Sequence, residues 1–210
     1  MFVKDCMTTS PITIAKSTPI LEALEKMKKL KIRQLPVTDK GRLVGLVTER
    51  ELLTVTPSPA TTLSVFEMNY LLSKMLVSEV MQKNPITVTP DTTIEEAALI
   101  MRENKIGSLL VMEADELVGI ITQTDIFDAF IEFFGLKKAG TRLVLQVYDR
   151  VGAIADLTEI MKRMNINIRA LVIHRKDNDV IHMVVRVNTV DPEPLVKELE
   201  DRGIPVLSVN

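Results

Sequence analysis

The chain repeats itself at a spacing of 74 residues. Residues 6–52 align with 80–126 without a gap, and seventeen of those 47 positions are identical. Met7 falls on Met81, Pro11-Ile12-Thr13 on Pro85-Ile86-Thr87, Ala23 on Ala97, and Lys31-Ile32 on Lys105-Ile106. Further on, Leu43-Val44-Gly45 falls on Leu117-Val118-Gly119 and Thr48 on Thr122. Gapless register over that length marks two copies of one unit. Each copy alone would leave an apolar sheet face in water, so the two are expected to pack on each other.

Each copy reads as strand, helix, strand, strand, helix. ITI (12–14) and ITV (86–88) are short β-rich pieces. In TPILEALEKMKKL, the apolar residues Ile20, Leu21, Leu24 and Met27 recur at helical spacing. Thr92 or Thr93 is the expected N-cap of the matching helix, with Glu95 and Glu96 in its first turn. QLPVTD (34–39) and SLLVME (108–113) read as buried strands. KGR (40–42) and ADE (114–116) are turns, LVGLVT and LVGIIT the next strands, and helices open at Glu49 or Gln123. The strand-to-helix phrase occurs twice, as GLVTEREL (45–52) and GIITQTDI (119–126), with Glu51 in one copy where the other has Asp125.

TVTPSPATT (54–62) reads as a linker, and LSVFEMNYLLSKM (63–75) resumes helical periodicity. After the second copy, Phe127, Phe130, Ile131 and Phe134 form an i, i+3, i+4, i+7 stripe, with Ile126 and Phe133 off it. A helix apolar on that many sides is either core or a seam between domains or subunits. LKKAG (136–140) is a hinge. The tail then gives a strand at 142–147, the turn DRVG (149–152) and a helix striped by Ile154, Leu157, Ile160, Met161 and Met164. Strands INIRALVIHR and VIHMVVRVN follow, joined at Asp177-Asn178-Asp179, then a helix ending at Gly203, then IPVLSV. That order is βαββαβ, the ferredoxin-like arrangement. The predicted domains are 1–62 (first copy with linker), 63–136 (second copy) and 140–210.

The 210 residues carry a net charge of -2. Residues 1–137 have 15 Lys+Arg against 18 Asp+Glu, and 138–210 have 11 against 10, so no basic domain drives nucleic-acid binding by counterion release. The single cysteine, Cys6, excludes an intramolecular disulfide. No run reaches the roughly 20 apolar residues of a membrane span, and MFVKDCMTTSP lacks the core of a signal peptide, so a cytoplasmic protein is expected. The sequence holds none of the motifs G-x-x-x-x-G-K, H-E-x-x-H, C-x-x-C and G-x-S-x-G. His174 and His182 fall on neighbouring strands and are too few for a metal site. No catalytic residue, no metal and no resident cofactor are expected.

The repeat, through SPITI…LPVTD…GLVTERE and NPITV…LLVME…GIITQTD, resembles a CBS-domain pair. The tail, through VYDRVGAIADLTEIMKRMNINI, resembles an ACT domain, departing from it at Val151, where that family usually has Pro. The combination resembles the bacterial acetoin-utilisation CBS–ACT regulatory proteins. The fold class this implies is α/β (α+β): tandem CBS modules about a pseudo-twofold axis, followed by a ferredoxin-like βαββαβ ACT domain.

The resemblance implies two composite clefts, each taking its acid from one module and its base-contacting strands from the other. A primary cleft joins Thr122, Thr124 and Asp125 to Ile12, Ile32, Arg33 and Gln34. A second, weaker cleft joins Thr48, Arg50 and Glu51 to Ile86, Ile106, Gly107 and Ser108. The threonine and the helix N-terminus would face phosphate, and the acid would accept from the ribose hydroxyls. Asp125 serves either that role or a helix cap. Glu51, one methylene longer, is expected to fit the ribose less well. Arg33, whose repeat partner is Gly107, is a phosphate ligand in this reading. The run Lys26, Lys28, Lys29, Lys31 is either a feeder of charge or a solvated face. In the ACT domain the resemblance implies an amino-acid site at the DRVG turn and the start of the next strand, often across a dimer interface, with Asp149, Gly152 and Asn167 as the matching positions, or else that turn is structural.

Three functions stay open at this point. The chain is a non-enzymatic regulator sensing AMP, ADP, ATP or S-adenosylmethionine, in acetoin or related carbon metabolism. Alternatively it is a ligand-free dimerisation scaffold, or an amino-acid sensor acting through the ACT domain. In each the assembly expected is a homodimer, with an unidentified protein target.

Overall fold

The computed structural model describes residues 1–55, 64–175 and 179–210, in two units, Met1–Ile126 and Phe127–Asn210. Most of the linker, and Lys176 with Asp177 and Asn178 of the expected hairpin turn, lie outside the described residues.

In the first copy, β2 (Ile14–Ala15) lies parallel to β3 (Gln34–Asp39), which pairs antiparallel with β4 (Arg42–Thr48). Between β2 and β3 runs α2 (Ile20–Leu30). Its apolar face puts Ile20, Ala23 and Met27 in the core, with Leu21 and Leu24 packed at the margin. The second copy repeats this with β6 (Thr87–Val88), α6 (Ile94–Asn104), β7 (Ser108–Glu113) and β8 (Glu116–Thr122), burying Ile94, Ala97 and Met101. Thr93 caps α6, its hydroxyl accepting from the Glu96 amide at 3.2 Å. Both helices end on a lysine in the left-handed region, Lys31 (φ 55) and Lys105 (φ 54), which turns the chain straight into the next strand. Leu46, Leu110 and Ile120 are buried against one another across the two copies, with Leu43 and Leu117 at their edge. That apolar seam joins the copies, as their exposed sheet faces require.

Each copy also lends an arm to the other. α1 (Val3–Cys6) and β1 (Thr8–Thr9) precede the first copy, yet β1 pairs with β8 of the second. α5 (Val77–Val80) and β5 (Gln82–Lys83) precede the second, yet β5 pairs with β4 of the first. The hydrogen bonds match across the repeat. The Val3 amide donates to the Thr92 carbonyl at 2.8 Å, and that of Val77 to Thr18 at 2.9 Å. The Ile94 amide donates to Met1 at 3.2 Å and that of Ile20 to Met75 at 3.0 Å. The sequence reading missed all four elements, because two to four residues are too few to show a period. α4 (Val65–Lys74) falls where helical spacing predicts it, and Leu72 joins the core of the first copy.

The second unit holds the body of α7 (Gln123–Phe133) and the βαββαβ domain. β9 (Thr141–Tyr148), α8 (Ala153–Arg163), β10 (Ile168–Arg175), β11 (Val180–Val187), α9 (Glu193–Asp201) and β12 (Val206–Val209) form an antiparallel sheet in the order β10-β11-β9-β12. Leu143, Leu145, Ile181, Met183, Val185 and Val187 on one sheet face meet Leu157, Ile160, Met161, Leu195 and Leu199 from the helices. Arg163 and Arg202 both bind Glu198 (3.1 and 2.6 Å), joining α8 to the end of α9. The second bond in particular holds the Glu198 carboxyl below its ordinary range. On α7 and just beyond it, Phe127 is 65% exposed, and Phe133 and Phe134 each 38%. Phe130 packs on both Phe133 and Phe134 with ring centroids 6.5 Å apart.

The exchanged arms explain the glycine of the repeated phrase. A Cβ on Gly45 would lie 2.7 Å from Met81 Sδ and 2.9 Å from the Gln82 carbonyl. On Gly119 it would meet Met7 Sδ, with the Thr8 carbonyl further off at 3.2 Å. Gly45→Ala, opposed by backbone, is therefore expected to destabilise more than Gly119→Ala, with overpacking costs of about 1–3 kcal/mol. Adding Met7→Ala should recover part of the Gly119→Ala loss. Urea unfolding of wild type, Gly45→Ala, Gly119→Ala, Met7→Ala and the Met7→Ala/Gly119→Ala double variant checks the order, and strict additivity of Gly119→Ala with Met7→Ala would refute the contact.

Candidate functional site

Between the two copies lie two cavities, each walled from both sides. In the larger, about 660 Å³, Ile12, Ile32, Arg33 and Gln34 from the first copy face Ile120, Thr122, Gln123 and Thr124 from the second. Thr8, Ser10 and Pro11 of the exchanged arm, with Lys31, Pro36 and Gly107, complete the wall. In the smaller, about 330 Å³, Thr48, Arg50 and Glu51 face Ile86, Ile106, Gly107 and Ser108. Gln34, Leu46, Gln82 and Lys105 also line it. Both sizes suit small molecules.

The folding of the repeated phrase sets these walls. Each phrase ends a strand and starts a helix, α3 (Glu49–Thr54) in the first copy and α7 in the second. The acid turns back onto the threonine that caps its helix. Glu51 Oε2 accepts from the Thr48 amide at 2.8 Å and its hydroxyl at 3.3 Å. Asp125 Oδ2 accepts from the Thr122 amide and hydroxyl, both at 2.7 Å. Thr48 and Thr122 accept in return from the amides of Glu51 (3.3 Å) and Asp125 (3.4 Å), which closes a reciprocal capping box. The first helical amide of each is held too, Glu49 by the Arg33 carbonyl at 2.8 Å and Gln123 by the Gly107 carbonyl at 3.0 Å. These bonds fix residues 33 and 107 beside the two cavities.

Six of the seven residues expected in the primary cleft line the larger cavity. Asp125 does not: its carboxylate is turned onto the cap. All seven expected in the second cleft, Glu51 among them, line the smaller one. The longer Glu51 side chain makes the same cap as Asp125 and still reaches its cavity wall. Gln34 lines both cavities, where the sequence reading placed it in one. Its Oε1 is buried and accepts no hydrogen bond from any described residue. A Cβ on Gly107 would lie 3.2 Å from Gln34 Nε2, so the two residues meet where the cavities adjoin. Among the lysines of the run, Lys26 donates to the Thr13 carbonyl at 3.0 Å, and Lys31 lines the larger cavity.

The ACT-like domain gathers a different set than expected. Asp149 follows the end of β9 and pairs with Arg175 at 3.1 Å. Gly152 caps α8 with φ +91, a conformation that favours glycine. Asn167 precedes β10, and its amide donates to Asn188 Oδ1 at 2.9 Å. Because β9 and β10 run the same way on either side of β11, Asn167 and Asp149 sit at opposite ends of the sheet, roughly 20 Å apart along the strands. Within one chain the three do not form one site. The cavity there, about 610 Å³, is lined by Tyr148, Arg150, Asp156, Glu159, Arg202 and neighbours, and by none of the three. Among the described residues no group of three or more His, Cys, Asp and Glu could hold a metal, and no helix is long and apolar enough to cross a membrane.

The geometry agrees with the comparisons. The CBS-domain profile matches residues 3–57 and 77–132, and the ACT-domain profile residues 141–203. A CBS domain-containing protein of Dictyostelium discoideum is 33% identical over 134 residues, 63% of this chain and 92% of its own length. The structure of a Vibrio cholerae protein described as an acetoin utilization protein, AcuB, is 32% identical (TM-score 0.54), covering 65% of this chain and 95% of that one. CBSX2 in complex with AMP is 30% identical (TM-score 0.52), covering 65% and 98%. The CBS domain pair of protein MJ0100, in complex with 5'-methylthioadenosine and S-adenosyl-L-methionine, is 29% identical (TM-score 0.51), covering 62% and 99%. An inosine-5'-monophosphate dehydrogenase of Korarchaeum cryptofilum is 34% identical over 143 residues, but these span 26% of that enzyme. A twofold repeat with two composite cavities, followed by a βαββαβ sheet, and both profiles in that order, lead to one conclusion: the chain belongs to the CBS-domain family, as a tandem CBS pair followed by an ACT domain.

Proposed function

We propose that this chain is a non-catalytic regulator that senses an adenosine-containing ligand between its two CBS modules. The observation that carries the reading is the larger composite cavity. Its aliphatic wall of Ile12, Ile32 and Ile120 suits a flat base, and Thr122, Thr124 and Arg33 supply hydroxyls and a cation for a ribose and phosphate. Gln34 Oε1, buried and unpartnered, is an acceptor that an amino group on a base would satisfy. The complexes of the two relatives with AMP and with 5'-methylthioadenosine and S-adenosyl-L-methionine point to the same class. A role in acetoin metabolism rests on likeness to the Vibrio cholerae protein alone.

The exposed Phe127, Phe133 and Phe134 support a homodimer, since an aromatic patch of this kind is covered by association. An amino-acid effector for the ACT domain is a separate proposal, which calorimetry with the twenty amino acids tests. Heat from none of them, with and without nucleotide, rejects it.

Titration calorimetry with AMP, ADP, ATP, adenosine and S-adenosylmethionine tests the main reading. Heat from none of the five would sink it in favour of the scaffold. For a ribose in the larger cavity to be gripped by Asp125, its carboxylate must turn from the cap into the cavity; Asp125→Ala then removes a charged acceptor worth about 1.5–3 kcal/mol, and affinity should fall roughly tenfold to a hundredfold. Because the same change opens the capping box at about 1 kcal/mol of stability, Asp125→Asn is the control. Its amide oxygen can still accept at the cap, while the charge is gone. Loss of binding in the alanine variant alone would make Asp125 structural. For the dimer, light scattering at micromolar concentration should exceed the 23.5 kDa chain mass, and Phe127→Glu should bring it down to that mass.

A further inference from the structure

An open groove of about 560 Å³ runs beside both cavities, lined by Arg33, Gln34, Thr48, Glu49, Arg50 and Leu53, with Thr54 at its end. Arg33 also lines the larger cavity, and Arg50 the smaller. Both arginines are exposed, and neither guanidinium takes part in an ion pair or hydrogen bond among the described residues. Other arginines of the chain do: Arg150, Arg163, Arg175 and Arg202 each hold a carboxylate. Two uncommitted guanidiniums, against the single carboxylate of Glu49, leave a net charge of +1 in a groove that shares lining residues with both cavities. Guanidiniums present several donors in a plane and suit phosphate oxygens.

The repeat supplies the control. Seventy-four residues on, Arg33 becomes Gly107, Arg50 becomes Thr124 and Glu49 becomes Gln123. The pseudo-twofold mate of the groove thus carries none of these charges, and the cationic feature is confined to one side of the pair.

We propose that this groove receives the polyphosphate tail of a nucleotide whose base and ribose occupy the larger cavity, so that the effector is a nucleoside triphosphate, one per chain. The inference rests on the nucleotide-sensing reading above and narrows its ligand. A single phosphate leaving the larger cavity meets Arg33, which belongs to both spaces. Arg50 lines the groove but not the larger cavity, so only a longer chain of phosphates carries charge on to it. A sulfonium ligand such as S-adenosylmethionine brings a positive charge to the same place and would be repelled.

The test is calorimetry at fixed ionic strength in magnesium-free buffer, with ATP, ADP, AMP, S-adenosylmethionine and inorganic triphosphate. ATP should bind one per chain and at least tenfold tighter than AMP, with ADP between them. Inorganic triphosphate should bind more weakly than ATP and compete with it. Arg50→Ala should cut the ATP-to-AMP ratio to about threefold or less, and Arg50→Lys should restore part of it. Matching circular dichroism and melting temperature guard against misfolding. AMP or S-adenosylmethionine binding as tightly as ATP would overturn the inference and leave the nucleotide reading standing. So would a ratio that Arg50→Ala leaves unchanged, or triphosphate binding as tightly as ATP. Failure of every adenosine compound to bind would remove both.

Discussion

Burial of Leu46, Leu110 and Ile120 between two copies of one sheet is the contact on which the CBS pair depends. A fully buried aliphatic side chain contributes on the order of 1.5–3 kcal/mol relative to an exposed one, and here each copy supplies what the other lacks. The seam sets more than stability. Because β4 and β8 meet across it, the helix starts that follow them, at Glu49 and Gln123, lie beside the strand starts at Gln34 and Ser108. The two cavities are what a twofold seam leaves at its ends when each strand runs on into a helix. The two cavities and the hydrophobic core are therefore one geometric fact, and neither module holds a whole cavity alone.

The two cavities share a plan and differ in chemistry. Both capping boxes are closed by a carboxylate, and one extra methylene separates Glu51 from Asp125. In this structure the longer acid satisfies the same two donors and still lines its cavity, while the shorter one is drawn onto the cap. The larger difference lies in the residues that hold the helix starts. Arg33 gives its carbonyl to Glu49 and leaves its guanidinium free in the groove; Gly107 gives its carbonyl to Gln123 and has no side chain to offer. The same backbone device thus presents a cation on one side and bare backbone on the other. Gln34 sits between the two with a buried acceptor unspent.

Much of this was legible in the sequence. A gapless repeat names its own symmetry, and the strands QLPVTD and SLLVME fall on β3 and β7 residue for residue, because each centres on a short apolar run closed by a turn. The positions around Thr48 and Thr122 follow from the resemblance, and thirteen of the fourteen expected cleft residues line the two cavities. What could not be read has a common cause: it depends on pairings between residues far apart in the chain. The arms 3–9 and 77–83 carry no period, and their partners lie in the other copy. The joint membership of Gln34 in both cavities is likewise a product of the seam. In the ACT domain, the distance between the turn at Asp149 and the strand start at Asn167 depends on strand direction, which puts a sheet's length between them within one chain.

The exchange of arms also bears on how the chain is made. The Val3 amide and the Thr92 carbonyl that accepts from it are 89 positions apart, and β1 waits for a partner at Gly119 and Ile120. Closing loops of that size precedes any gain from the contacts they bring, which slows folding in proteins rich in distant pairings. During synthesis, residues 3–9 thus leave the ribosome well before the partners that place them. Until the second copy has emerged, the first has an open edge at β4, where β5 belongs, and an unsatisfied strand at its own start. Such an edge is a template for pairing with another chain. The β5 of a second nascent chain fits the same edge, so the symmetry that builds two cavities in one molecule also gives two molecules a way to trade halves.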